Sequence, residues 1–262
     1  MSALDFAAML RAEKRKARSG AVAKPAPKPQ QQRRPPPDAA TAALDPSTQR
    51  PPLQTLPGAP PTIAYAADWI SEAEEAAIVA AAKRGDDWVT VRGRRLRRLG
   101  GPAGEASFAP EPLPRWARDA CAAAAASDTS SRPAPNHVLV NAYDFAKESY
   151  VLPHTDGPAY DDRTFTLSCG ADAVVVFKER LKTSDIGVRA AATRCEVLLR
   201  RRSLLAFSRE AYTECTHEIG AAPDTIGLCC VNLDAANARV GDVVGRAGER
   251  VSFTLRCARG AE

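Results

Sequence analysis

The stretch RVSFTLR, residues 250–256, alternates without a break between polar and apolar side chains. Successive side chains of a β-strand point to opposite faces, so Val251, Phe253 and Leu255 share one face and Arg250, Ser252, Thr254 and Arg256 the other. The apolar face requires a core. The polar face can simply meet solvent; if it lines a barrel instead, its two arginines mark a site for a carboxylate. Short β-branched and aromatic runs of the same texture fill the chain from Pro135 onwards: HVLVNAY, RTFTLSC, DAVVVF, SLLAFS and AYTECTHEI each read as a strand. In HVLVNAY the division recurs, with Asn141 and Tyr143 opposite Val138, Val140 and Ala142. Upstream, TIAYAADWI reads as a strand running into a turn. Ser71 and Glu74 then form an S-x-x-E capping box for an alanine-rich helix that ends at Gly85, and a second helix is expected over 116–126. Helices followed by six or more short strands predict an α+β domain whose core is a barrel or sandwich.

Composition bounds what this domain can be. The chain has 262 residues, 45% of them hydrophobic, which is enough for one large core. It contains no apolar run of membrane-spanning length and no charged-then-apolar leader, so a soluble, monomeric protein of the nucleus or cytoplasm is expected, with no membrane partner. Seven cysteines without a C-x-x-C spacing fit reduced thiols used as small core residues. The formal charge of +5 is unevenly spread: residues 1–37 hold nine Lys or Arg against Asp5 and Glu13, leaving the rest of the chain at −2. Twelve of the 21 prolines lie between Lys24 and Pro61 beside a Gln30–Gln32 run, a composition that cannot bury enough apolar surface to offset its chain entropy. Residues 1–61 are therefore expected to be a disordered basic tail, within which Leu4, Phe6, Met9 and Leu10 can form a short helix for a protein or RNA partner. Ordered structure is expected from Thr62.

The chain has three histidines, and one of them opens the motif His154-x-Asp156 in LPHTDGPAY. If the segment is extended, both side chains project the same way. His217, on the predicted strand AYTECTHEI, supplies a second imidazole between this motif and the two arginines. Each element has an ordinary structural reading: the aspartate can accept backbone N–H groups in a turn helped by Gly157-Pro158, and His217 can be a half-buried strand histidine. Together, two imidazoles and one carboxylate form the facial triad that holds Fe(II) and leaves positions open for an oxo-acid co-substrate and O2. The three groups are expected to bind metal and to take no part in packing.

These stretches resemble the AlkB-like dioxygenases, which carry H-x-D, a distal His and a last strand of the form R-x-N-x-T-x-R. RVSFTLR departs from that form only in having Ser252 at the asparagine position. DWISEAEE, VRGRRLRRLGG, PNHVLVNAY, LPHTDGPAY, RSLLAFSREAYTECTHEI and ERVSFTLR bring the likeness nearest to the homologue-six group, over 62–256. The resemblance implies a double-stranded β-helix, or jelly roll, over 136–262, with 62–135 as an N-terminal extension and substrate lid. It also implies Fe(II) on His154, Asp156 and His217, and 2-oxoglutarate held by Asn141, Tyr143 and Arg250. Arg256 would help hold the co-substrate or order the site. The implied activity is oxidative demethylation of N-alkylated bases in nucleic acid, with a protein side chain as the alternative target and a weakly active binding module as a reading of another class. Within the lid, Arg92, Arg94, Arg95, Arg97 and Arg98 would meet phosphates. Leu99 stands where the homologue-six pattern has a tryptophan, and YDFAKESYVL replaces a shorter glycine-containing loop, so base stacking from position 99 is expected to be lost.

Overall fold

The computed structural model describes residues 44–45, 47–102, 110–145, 149–186, 190–221, 224–244 and 248–259. The predicted helix near the N-terminus and most of the Pro-rich tail lie outside these residues. The major sheet has eight strands, in the order β1 (Gln54–Thr55), β2 (Ile63–Ala66), β10 (Leu204–Ser208), β7 (Tyr160–Gly170), β14 (Glu249–Ala258), β5 (His137–Asp144), β4 (Arg94–Leu99) and β3 (Val89–Val91). A minor sheet of four faces it, in the order β6 (Val151–His154), β11 (Cys215–Ile219), β8 (Ala173–Glu179) and β9 (Thr193–Leu199). Within both sheets neighbouring strands are antiparallel. A small hairpin of β12 (Asp224–Thr225) and β13 (Val243–Val244) completes the list of strands. The result is a jelly roll with a chamber between two sheets.

The alternation of β14 decides how the layers stack. Val251, Phe253 and Leu255 are buried in one cluster with Val138, Val140 and Ala142 of β5 and Phe165, Leu167 and Cys169 of β7. Two helices, α1 (Glu72–Lys83) and α2 (Arg115–Ala126), cover that outer face. Ile78 and Ala82 of α1 and Ala117, Ala120, Cys121, Ala123 and Ala124 of α2 join the cluster, small side chains that let the helices lie close to the sheet. The capping box is present in both directions, with Ser71 accepting from the Glu74 N–H and the Glu74 carboxylate accepting from the Ser71 N–H. Glu75 accepts the Gly170 N–H at 2.8 Å and so ties α1 to the end of β7. The opposite, polar face of β14 looks into the chamber.

Two expectations are corrected. Ordered structure begins well before Thr62: Leu44 is fully buried, Leu56 nearly so, and Arg50 bonds the Trp69 carbonyl and the Glu74 carboxylate while stacking on the Trp69 ring. A Pro-rich segment pre-set to extended backbone can dock by a few anchors, which composition averaged over the whole tail conceals. Residues 62–135 contribute to the major sheet, with β2 and the β3–β4 hairpin towards its opposite edges. AYTECTHEI is not one strand: a single helical turn, α3 (Arg209–Thr213), precedes β11, seated by the Ala211 N–H on Thr62 Oγ1 at 3.2 Å. Strand β9, TRCEVLL, has no counterpart in the expected set. Six of the seven cysteines are buried and all are free, as the odd count implied; Cys229 is exposed. No helix among the described residues is long and apolar enough to cross a membrane.

Phe253 is fully buried and packs edge-on against Trp116, with ring centroids 5.8 Å apart. Phe253→Ala is expected to cost about 3–5 kcal/mol, read from the urea midpoint. A change under about 1 kcal/mol would place the core elsewhere.

Candidate metal centre and its chamber

His154 ends β6 and is the register partner of His217 on β11, so the sheet itself sets the two imidazoles side by side, ring centroids 4.3 Å apart. Asp156 follows two residues later, in the turn that leaves β6. One ligand atom from each of the three lies within 4.8 Å of the others, the only such group among the described residues. His154 Nδ1 lies 2.9 Å from the Leu152 carbonyl oxygen. That carbonyl can only accept, so Nδ1 carries the proton and Nε2 keeps its lone pair for a metal. Phe177 and Phe207 flank His217, at 6.0 and 5.1 Å between centroids, and leave its ring little freedom.

Asp156 is held from both sides. Its Oδ1 accepts from Arg256 Nη1 and its Oδ2 from Thr164 Oγ1, each at 2.7 Å. Each carboxylate oxygen still has a lone pair for a cation. Arg256 is itself fixed over the face of Tyr160, its guanidinium carbon 4.1 Å from the ring centroid. Tyr212 donates to the Gly157 carbonyl at 2.8 Å and pins the turn that carries the aspartate. Arg256 thus holds the Asp156 carboxylate in place, while its Nε, buried on the chamber wall, has no partner among the described residues. Asp156 is correspondingly a packing residue as well as a ligand, contrary to expectation: its side chain is 4% exposed and that of Arg256 6%.

The electrostatics favour a metal-ready state at neutral pH. Burial alone would raise the Asp156 carboxyl, but Arg256 and the two imidazoles outweigh it and hold it at about 2. Burial, together with the neighbouring His154, holds His217 down to about 3, and burial also lowers His154. An ionised carboxylate and two neutral imidazoles are the ligand forms that divalent iron takes. The residues present fit Fe(II).

The triad opens into a chamber of about 580 Å³ lined from both sheets. Asn141 and Tyr143 of β5 and Arg250, Ser252, Thr254 and Arg256 of β14 all face it, as the strand phase predicted. Arg250 is fully buried, donates to Ser168 Oγ at 3.0 Å and lies over the Tyr143 ring. Asn141 is 4% exposed and its amide oxygen has no partner among the described residues, a buried polar atom aimed into a chamber. Thr164, Thr166, Ser168, Tyr160 and Tyr212 were not singled out by sequence. The first three carried a signal all the same, since RTFTLSC alternates in the same sense as RVSFTLR.

The arginine run is sorted by its strand. On β4, Arg94, Leu96 and Arg98 face the chamber, whereas Arg95, Arg97 and Leu99 face away. Arg97 pairs with Asp87 at 2.6 Å, Arg95 pairs with Glu249 at 3.0 Å and stacks on Trp88, and Arg92 bonds Tyr150. Leu99 packs in the core under the helices. A side chain at position 99 points away from the chamber, so stacking on a substrate from there is not what leucine removes.

A jelly roll that presents two histidines and an aspartate to an enclosed chamber has the architecture of a non-haem iron oxygenase. No family model matches the chain. A curated protein of Danio rerio, "Probable RNA/DNA demethylase ALKBH6", is 31% identical over 204 residues, spanning 76% of this chain and 86% of that protein. The chain therefore belongs to the AlkB family of Fe(II)- and 2-oxoglutarate-dependent dioxygenases, beside ALKBH6. Among solved structures, OsALKBH1 aligns at 18% identity over 79% of this chain and 100% of that one, with a TM-score of 0.48. A 2OG-Fe(II) oxygenase family protein from Burkholderia pseudomallei aligns at 16% identity over 77% and 89%, with a TM-score of 0.43.

Two outcomes follow from this geometry. Asp156→Ala strands Arg256 as a buried, unpaired cation and is expected to cost about 3–5 kcal/mol of stability in the metal-free protein. His154→Ala should abolish metal binding at a clearly smaller cost in urea midpoint, and equal costs would deny the pair its structural part. His137, fully buried, and His217 are each held at about 3 by burial, against about 6.5 in an unfolded chain. Unfolding then takes up protons below pH 6.5, so their stabilisation is complete above that pH and is lost as pH falls towards 3. The urea midpoint of the metal-free protein should fall below pH 6.5, less steeply in His137→Gln; identical slopes would contradict the assignment.

Proposed function

We propose that the protein oxidatively demethylates N-alkylated bases in nucleic acid, with His154, Asp156 and His217 holding Fe(II). The observation that carries this reading is the three-ligand cluster on the wall of a chamber whose other charged groups include Arg94, Arg98 and Arg250. His154, Asp156 and His217 would hold Fe(II), which would supply the O2 activation that decarboxylates 2-oxoglutarate to succinate and CO2 and hydroxylates a substrate C–H bond. A hydroxylated methyl group on nitrogen then leaves as formaldehyde.

The chain's own residues supply orientation and exclusion. Arg250, buried beside Tyr143, offers a planar fork to the distal carboxylate of the co-substrate, and the Asn141 amide is within the same chamber for its oxygens. Arg256 and Thr164 fix which faces of the Asp156 carboxylate remain for metal. Val175, Leu199, Leu205, Phe207 and Ile219 make the remaining wall apolar, which keeps water from the reacting carbon.

For the substrate, Arg98 is the member of the arginine run best suited to a phosphate. It lines the chamber, is exposed, and has no ion pair among the described residues. The "RNA/DNA demethylase" in the description of the Danio rerio relative supports a nucleic acid over a protein target.

The test is release of formaldehyde and succinate from a panel of N-methylated oligonucleotides and, in parallel, N-methylated peptides. Turnover of an oligonucleotide is expected. Turnover of peptides alone would overturn the nucleic-acid assignment. Arg98→Ala should raise KM for the oligonucleotide and reduce the slope of log affinity against log salt by about one. An unchanged slope would remove Arg98 from the phosphate contacts. Arg250→Ala should raise the 2-oxoglutarate requirement with little change in the requirement for oligonucleotide.

A further inference from the structure

Arg94 differs from the rest of its run. It is 5% exposed, whereas Arg92, Arg95 and Arg98 are surface groups and Arg97 is neutralised by Asp87. Among the described residues its Nε has no hydrogen-bond partner and no carboxylate forms an ion pair with it. The chamber's acids are engaged elsewhere: Asp87 with Arg97, Asp156 with Arg256, and Glu218 with Lys178. A buried cation without a counter-charge is costly unless a ligand supplies one.

Strand register shows where that ligand is. Arg94 on β4 is the partner of Tyr143 on β5, and Tyr143 is the partner of Arg250 on β14. The three side chains form one cross-strand row on the chamber face, with Tyr143 in the middle. The guanidinium carbons of Arg94 and Arg250 lie 6.0 and 5.0 Å from the centroid of the Tyr143 ring. Burial lowers the Arg94 pKa, with Tyr143 partly opposing, as for a cation whose anion is missing. Two guanidinium groups and a phenol thus stand in one row on the chamber face, and among the described residues no acid pairs with Arg94.

We infer that Arg94 is a second cationic partner for the distal carboxylate of the co-substrate, acting with Arg250 across Tyr143. This rests on the reading of the chamber as a 2-oxoglutarate site. It removes Arg94 from the residues that meet substrate and leaves that role to Arg98. It also makes the β3–β4 hairpin, which Arg94 begins on β4, part of the co-substrate site and no longer a lid alone.

The test compares two ligands on the full-length protein. Under anaerobic conditions, Mn(II)-loaded protein is titrated calorimetrically with 2-oxoglutarate and with 2-oxovalerate, which has the same chain and chelating end but no distal carboxylate. The starting protein should bind 2-oxoglutarate the more tightly. Arg94→Met should weaken 2-oxoglutarate about 10- to 100-fold, the usual effect of deleting a hydrogen bond to a charged group, and leave 2-oxovalerate unchanged. Arg94→Lys, which keeps the charge without the fork, should recover part of the loss and stands in if the methionine variant fails to fold. An Arg94→Met protein that binds 2-oxoglutarate as well as the starting protein does, or that loses both ligands equally, overturns the inference while leaving the site reading intact. A starting protein that binds neither ligand overturns both.

Discussion

The buried pair between Arg256 and Asp156 is where the two halves of the structure meet. Arg256 belongs to the strand at the centre of the major sheet, and Asp156 to the turn that leaves the minor sheet. A charge-assisted bond between groups this dry holds direction as well as distance, because neither partner finds water to replace the other. Thr164, Tyr160 and Tyr212 add contacts that leave the turn little freedom. The metal ligands are thereby placed by the last strand of the fold as much as by the strand that carries them.

This arrangement separates stability from chemistry across the thickness of one sheet. On the outer face of β14, Val251, Phe253 and Leu255 bury against two alanine-rich helices. On the inner face, Arg250, Ser252 and Arg256 are also buried and Thr254 is half-buried, but these side chains are polar and line the chamber. Buried arginine is tolerable only where its charge is met, and the chain itself meets that of Arg256 with Asp156.

The β3–β4 hairpin illustrates how one short segment serves both faces. Its arginines look uniform along the chain, yet alternate ones are turned to the chamber and to the outside. Arg95 and Arg97 cover the edge of the sheet through Glu249 and Asp87, Leu99 enters the core, and Arg94 and Arg98 enter the site. Position 99 matters for packing.

Much of this was legible in one dimension. Period-two alternation in HVLVNAY, RTFTLSC and RVSFTLR assigns faces from local geometry alone, and His154-x-Asp156 with His217 states the metal chemistry by residue type. Ser71 and Glu74 start a helix through contacts three residues apart. What sequence could not decide depends on partners distant along the chain. That His154 stands beside His217 is a matter of register between β6 and β11, 63 residues apart. That Arg256 serves Asp156, and that Leu44 and Arg50 belong to the fold and not to a free tail, likewise follow from which surfaces meet. Local spacing fixes which face a side chain takes; only the closed sheets decide what it finds there.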